Sequence, residues 1–219
     1  MNPFLKAGML TITVVVLAFV LMSQVDNARA RELEKGVDNV LSEAQAEAVL
    51  REYTRVMART PQEQCPYLLS LRQKQLDKTY ALALRLQDYE RSNVLNDEYE
   101  QLKVSYFLGL SSMYISGFEL HNSCGISEVP LVLFYSEKNT CQECVAQDIV
   151  LSSVAKRCSG MRIYAFPYDS TLEPVQIISD RYEISSVPSI VIGDGTAQKG
   201  MQGEDELVSQ LRLRGASCT

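Results

Sequence analysis

Val129-Pro-Leu-Val-Leu-Phe-Tyr-Ser-Glu-Lys-Asn-Thr-Cys-Gln-Glu-Cys144 decides how this chain is read. Its first part, Val129 to Tyr135, is an apolar run of the length expected for a fully buried strand. Cys141 and Cys144 follow at the CxxC spacing and open an amphipathic stretch, Val145 to Val154, with helical period. Where a strand turns into a helix, the first sulfur stands among N–H groups that lack an intrahelical acceptor, and these favour its thiolate. The second sulfur lies three residues on, on the same helix face, close enough to close a small disulfide ring. A dithiol in that setting is a redox site with a physical rationale.

Downstream, strands and helices alternate. Cys141–Arg157 reads as a helix, Met161–Phe166 as a second strand and Leu172–Tyr182 as a second helix. Ser189–Ile192 is a third strand, followed by the turn Gly193-Asp-Gly195 and a weaker fourth strand near Gln198–Met201. The last helix, Glu204–Arg214, carries acidic residues in its first turn, Arg212 and Arg214 in its last, and Gly215 just beyond. The order from residue 126 is β-α-β-α-β-β-α. Alternation implies parallel pairing through right-handed crossovers, and the glycine turn implies an antiparallel hairpin.

Upstream, residues 37–125 read as a helical region of about three helices. The first spans Val37 to Arg59 and is expected to end at Thr60-Pro61, because a residue before proline is pushed out of the helical region. The second spans Cys65 to Arg91. The third spans Asp97 to Glu119, with Tyr99, Leu102, Val104, Phe107, Leu108 and Tyr114 on a broad apolar face and Ser123-Cys-Gly125 as its stop signal. The aromatic residues Tyr53, Tyr80, Tyr99, Tyr106, Phe107 and Tyr114 are expected in helix–helix packing.

At the other extreme, Ala7 to Ser23 is uncharged and follows Lys6 and the amino terminus. Its length is near the lower limit for spanning a bilayer core of about 30 Å. The expectation is a membrane anchor at 7–23, with residues 1–6 in the cytoplasm, 24–36 as a linker and the remainder outside the cytoplasm. The alternative is a signal segment cleaved near Ala30, after Ala28-Arg29-Ala30, which leaves a secreted or periplasmic protein. Six cysteines agree with either exported location.

Composition narrows the chemistry further. The chain of 219 residues has a formal charge of −6 with acids and bases well mixed, so no basic stripe for nucleic acid is present. It has one histidine, His121, and no tryptophan. One imidazole disfavours histidine-rich metal sites and Cys-His or Ser-His catalytic pairs; near a helix end, His121 reads as a solvated or capping residue. No cofactor motif is evident, and no metal is expected. A zinc or copper site built on Cys141 and Cys144 would have to recruit distant cysteines.

With its CxxC after the first core strand and Val187-Pro188 just before the third, the part from 126 to 219 resembles the thioredoxin-like superfamily. Phe134-Tyr-Ser-Glu-Lys-Asn-Thr-Cys-Gln-Glu-Cys144 is similar to that family's strand and active-site loop. Tyr182-Glu-Ile-Ser-Ser-Val-Pro-Ser-Ile-Val-Ile192 is similar to its segment ending in a cis-proline strand. The resemblance implies a thiol–disulfide oxidoreductase acting on exported proteins. Cys141 would be the attacking thiol, Cys144 the resolving one, and Pro188 a cis residue beside them, with Val187 and Thr140 next to the substrate. Its partners would be protein thiols or disulfides, and an anchored domain leaves room for a redox partner in the membrane. The alternative is a membrane-anchored binding module or scaffold of the same fold without redox turnover.

The chain departs from the family pattern in three places. Thr140 stands where the family has Trp, Leu133 where thioredoxins bury an acid, and Gln142-Glu143 fills the CxxC. Thr140-Cys-Gln-Glu143 fits a capping box that would make Cys141 the first helical residue. Glu143 would then oppose the thiolate, which points to a reductant or isomerase-like site and not a strong oxidant. The resemblance would put Cys158 and Cys218 on one side, as a candidate structural disulfide. Cys65 and Cys124, at the start of the second helix and the end of the third, meet if those helices are antiparallel.

Overall fold

A computed structural model of the chain describes residues 45–46, 48–53, 56–57, 60–93, 95–126, 128–136 and 141–219. The chain divides into two compact units, Met1–Ala58 and Arg59–Thr219. In the first unit the described residues are helical. The expected anchor or signal at 7–23, the linker and most of the first expected helix lie outside the described residues. Among the described residues, no helix is long and apolar enough to cross a membrane.

The second unit begins with a helical hairpin, α1 (Pro61–Arg91) and α2 (Asp97–Cys124). Thr60-Pro61 opens α1, where the sequence suggested only an end. The Thr60 hydroxyl caps the helix by accepting from the Glu63 N–H at 3.3 Å, and a proline in the first turn loses no intrahelical bond. Asn96 caps α2 in the same way through the Tyr99 N–H. Gly125, at φ 65°, closes it and donates to the His121 carbonyl at 3.0 Å. The two helices approach closely where Gly109 meets Thr79: a Cβ at Gly109 would stand 2.7 Å from the Thr79 hydroxyl. Cys65–Cys124 ties the start of α1 to the end of α2, with Cα atoms 5.2 Å apart.

A mixed sheet follows: β1 (Val129–Tyr135), β3 (Met161–Pro167), β4 (Ser189–Ile192) and β5 (Gln198–Lys199), in the order β3-β1-β4-β5. Helices α3 (Gln142–Arg157), α4 (Glu173–Arg181) and α5 (Glu204–Leu213) connect or flank the strands. β1 and β3 are parallel, as alternation suggests, and β4–β5 is the antiparallel hairpin. β4, however, runs antiparallel to β1, with Phe134 opposite Ser189 and Leu131 opposite Ile192. β4 thus enters the sheet at the end where β1 leaves it. Two short strands that the sequence did not signal, β2 (Cys158–Ser159) and β6 (Ser217–Cys218), pair beyond the sheet.

Alternation along the strands builds two cores. Val132, Phe134, Tyr164, Phe166 and Val191 face α2 and α4, against Phe107, Leu110, Tyr114 and Ile178. Leu131, Leu133, Ile190 and Ile192 face α3 and α5, against Leu151, Val154, Leu207 and Leu211. The hairpin's apolar face therefore packs on the sheet as well as on itself. Tyr99, Phe107 and Tyr114 are buried as expected, but Tyr53, Tyr80, Val104 and Leu108 are exposed. The buried stripe of α2 runs through Leu110, Met113 and Leu120 instead.

Buried Arg72 of α1 joins these layers. It donates to the Met113 carbonyl, to Ser116 at 3.2 Å, to Tyr164 of β3 at 2.9 Å and to Glu128 at 2.8 Å. Glu128, just ahead of β1, also receives Arg162 at 2.8 Å. Burial outweighs the nearby Arg72 charge and pushes the Tyr164 hydroxyl above its ordinary pKa.

Candidate functional site

β1 ends at Tyr135, and the chain reaches α3 at Cys141. Cys141 is itself the helix N-cap: it has non-helical angles (φ −97°, ψ 82°), and its Sγ accepts from the Cys144 N–H at 3.1 Å. The capping box expected from Thr140 and Glu143 is thus replaced by a sulfur cap, which shifts the first helical residue from Cys141 to Gln142. The sulfur takes the place of the usual side-chain oxygen and accepts one of the helix's unpaired donors. Thr140 lies outside the described residues. Glu143 is in the first turn of α3, and Lys156 and Arg157 are in its last.

Cys141 and Cys144 form a disulfide with Cα atoms 5.2 Å apart. The two sulfurs are not equivalent, because Cys141 is half-buried and Cys144 is 6% exposed. All six cysteines are paired; the third bridge, Cys158–Cys218, joins directly opposed residues of β2 and β6. Among the described residues, no cluster of His, Cys, Asp or Glu could hold a metal ion. His121 is exposed in the last turn of α2, far along the chain from the dithiol, and its carbonyl accepts the capping N–H of Gly125.

The Val187–Pro188 peptide is cis, Pro188 is buried and Val187 is half-buried. Because Ser189 pairs with Phe134, Pro188 sits at the end of the sheet from which the chain leaves β1 toward Cys141. The Pro188 carbonyl accepts from the Gly200 N–H at 2.8 Å, and the Ser189 hydroxyl donates to the Ser186 carbonyl at 2.7 Å.

One site residue escaped the sequence reading. Gln147, one turn beyond Cys144, is fully buried and holds the backbone of Gln202, accepting from its N–H at 2.6 Å and donating to its carbonyl at 3.3 Å. The Gln202 side chain donates to the Gly200 carbonyl at 3.1 Å. A polar path thus runs from the dithiol helix to the loop bonded to Pro188. Its signal was present, since Gln147 interrupts the apolar stripe Cys144, Leu151, Val154 at helical spacing.

A groove of about 980 Å³ reaches the disulfide. Leu133 and Ala165 form part of its lining beside Cys141 and Cys144, and the tip of the hairpin forms another part through Glu90, Tyr99 and Tyr106. Leu133 is 3% exposed and belongs to the core under α3.

No family model matches the chain, and no curated protein matches it in sequence. Among solved structures, the crystal structure of chloroplastic thioredoxin z is similar over 45% of this chain and 87% of that one, at 15% identity and a TM-score of 0.34. The strand order, the helices on both sheet faces and a disulfide at the start of α3 make this a mixed α/β protein consistent with a thioredoxin-like fold.

Proposed function

We propose that the chain is a thioredoxin-like thiol–disulfide oxidoreductase that works on exported proteins through Cys141 and Cys144. One observation carries the reading: the sulfur of half-buried Cys141 caps a helix and is bonded to that of buried Cys144, one turn away. In the reducing direction, the Cys141 thiolate attacks a client disulfide, forming a mixed disulfide and expelling one client thiolate, which takes up a proton. Cys144 then loses its proton and attacks the Cys141 sulfur, releasing the second client thiol. Two electrons pass to the client, and the pair returns to the disulfide. The oxidising direction is the reverse. Val187 and cis Pro188 would hold the client backbone beside Cys141, with Thr140 as a further substrate contact. An N-terminal anchor at 7–23 would keep this chemistry at the outer surface of a membrane.

The test is Cys144→Ala, which leaves the mixed disulfide unresolved. Expressed in the native host, the variant should carry client proteins in adducts that a reductant releases, and Cys141→Ser/Cys144→Ala should carry none. An absence of adducts with Cys144→Ala, as a scaffold without turnover would give, overturns the proposal.

A further inference from the structure

The helical hairpin contributes a wall to the groove at the disulfide, although the exchange of sulfur bonds needs no such wall. The charges there are unequal. Among the described residues, Glu90 and Glu100 line the hairpin side and Asp148 lines the α3 side, with Lys103 as the basic residue. Lys103 Nζ lies 3.8 Å from Glu100 and 5.5 Å from the centre of the Tyr99 ring, so its charge is already matched within the hairpin. Glu90 accepts from the Tyr99 hydroxyl at 3.0 Å, a neutral donor that orients the carboxylate without cancelling its charge. Glu90 and Asp148 are both exposed and come from different walls.

The rest of the groove is apolar enough to receive a chain and open enough to admit one. Leu95 and Val145 are 63% and 66% exposed along it, and Leu133 and Ala165 line it more deeply. Carboxylates on two walls of a partly desolvated cleft raise the local concentration of positive charge and repel negative charge. Glu90, Asp148 and Cys141 all line this one groove, so a chain lying in it meets both carboxylates and the disulfide.

Resting on the dithiol–disulfide reading above, we infer that this groove docks an extended client segment carrying Lys or Arg within a few residues of its reacting cysteine. The hairpin is then a specificity element added to the redox unit, with Glu90 and Asp148 as the discriminating residues.

The experiment uses the full chain with its Cys141–Cys144 pair reduced, and three peptides identical but for Lys, Gln or Glu flanking one cysteine. That cysteine is held as a mixed disulfide with 2-mercaptoethanol. Each reaction converts the protein dithiol to the disulfide and yields the peptide thiol and 2-mercaptoethanol, with two electrons transferred. The Lys peptide should react about 5- to 10-fold faster than the Glu peptide at low ionic strength, and the gap should close in concentrated salt. In Glu90→Gln/Asp148→Asn, the three rates should converge. Equal rates in the unaltered chain overturn the docking site and leave the redox reading standing, as does a Lys preference that persists in the double variant. Failure to react with any peptide, and with bis(2-hydroxyethyl) disulfide as well, overturns the redox reading and the docking site with it.

Discussion

Gln147 and Gln202 are joined by a two-way hydrogen bond in which one buried side chain satisfies both the N–H and the C=O of the other residue's backbone. This clasp fixes the dithiol helix against the loop that follows β5. Replacing Gln147 by Leu removes both bonds and leaves two backbone groups to find other partners. The expected cost is about 1–3 kcal/mol, measured as a lower urea midpoint, and amide exchange at Gln202 should accelerate. An unchanged midpoint and unchanged exchange at Gln202 would contradict the clasp.

Two opposing influences meet at the Cys141 sulfur: the Cys144 N–H, 3.1 Å away, and the Glu143 carboxylate in the same turn. In the reduced protein, alkylation should fall on half-buried Cys141 before buried Cys144. Glu143→Gln removes the unfavourable charge, and the disulfide should become more oxidising, read by equilibration against glutathione. A more reducing disulfide in the variant would show that Glu143 assists the thiolate by another route.

Arg72 donates to four groups drawn from α2, the lead-in to β1, and β3. Arg72→Ala removes the buried donor shared by these groups, although Glu128 keeps Arg162 and the Met113 carbonyl keeps the Ser116 hydroxyl at 3.1 Å. The loss should be about 3 kcal/mol. Arg72→Lys should recover only part of it, because an ammonium cannot span the fork. Chemical unfolding of both variants gives the comparison; full recovery by Lys would mean that charge alone suffices.

Arg157 at the end of α3 pairs with Glu204 at 2.7 Å and Asp205 at 3.2 Å, at the start of α5. The hydrogen bond from Arg157 holds the Glu204 carboxyl below its usual pKa. A depressed carboxylate pKa stabilises the fold above the unfolded value of about 4.3, and that contribution is lost as pH falls through the folded value. Arg157→Gln should therefore lower the urea midpoint slightly at neutral pH, with the difference shrinking in acid and in salt. A difference that grows below pH 4 would reverse the assignment.

Much of this architecture was legible because it rests on local pattern. The apolar run before Cys141, the alternation after it and the glycine after Cys124 announce their elements from within a few residues. What was hidden depends on contacts distant in sequence. Thr60-Pro61 reads equally as an end or a start, and only the Glu63 N–H settles it. The antiparallel entry of β4 depends on the path between α4 and Ser189. The Arg72 cluster gathers residues separated by up to 92 positions, and no periodicity reports it. Cys141 was legible as one of two closely spaced cysteines at a helix start but not as the cap, since Thr140 offered a more conventional oxygen. The tip of the hairpin gave no hint of its place beside the disulfide, because its residues are ordinary for a solvated helix end.

The three disulfides enclose very unequal stretches of backbone: partners 59 and 60 positions apart in two, but only 3 in the Cys141–Cys144 ring. Opening either wide loop restores much conformational freedom to an unfolded chain, whereas opening the small ring restores far less. Under the proposed function, the bond that opens is therefore the one whose loss costs the folded molecule least, while the two that brace the architecture stay shut.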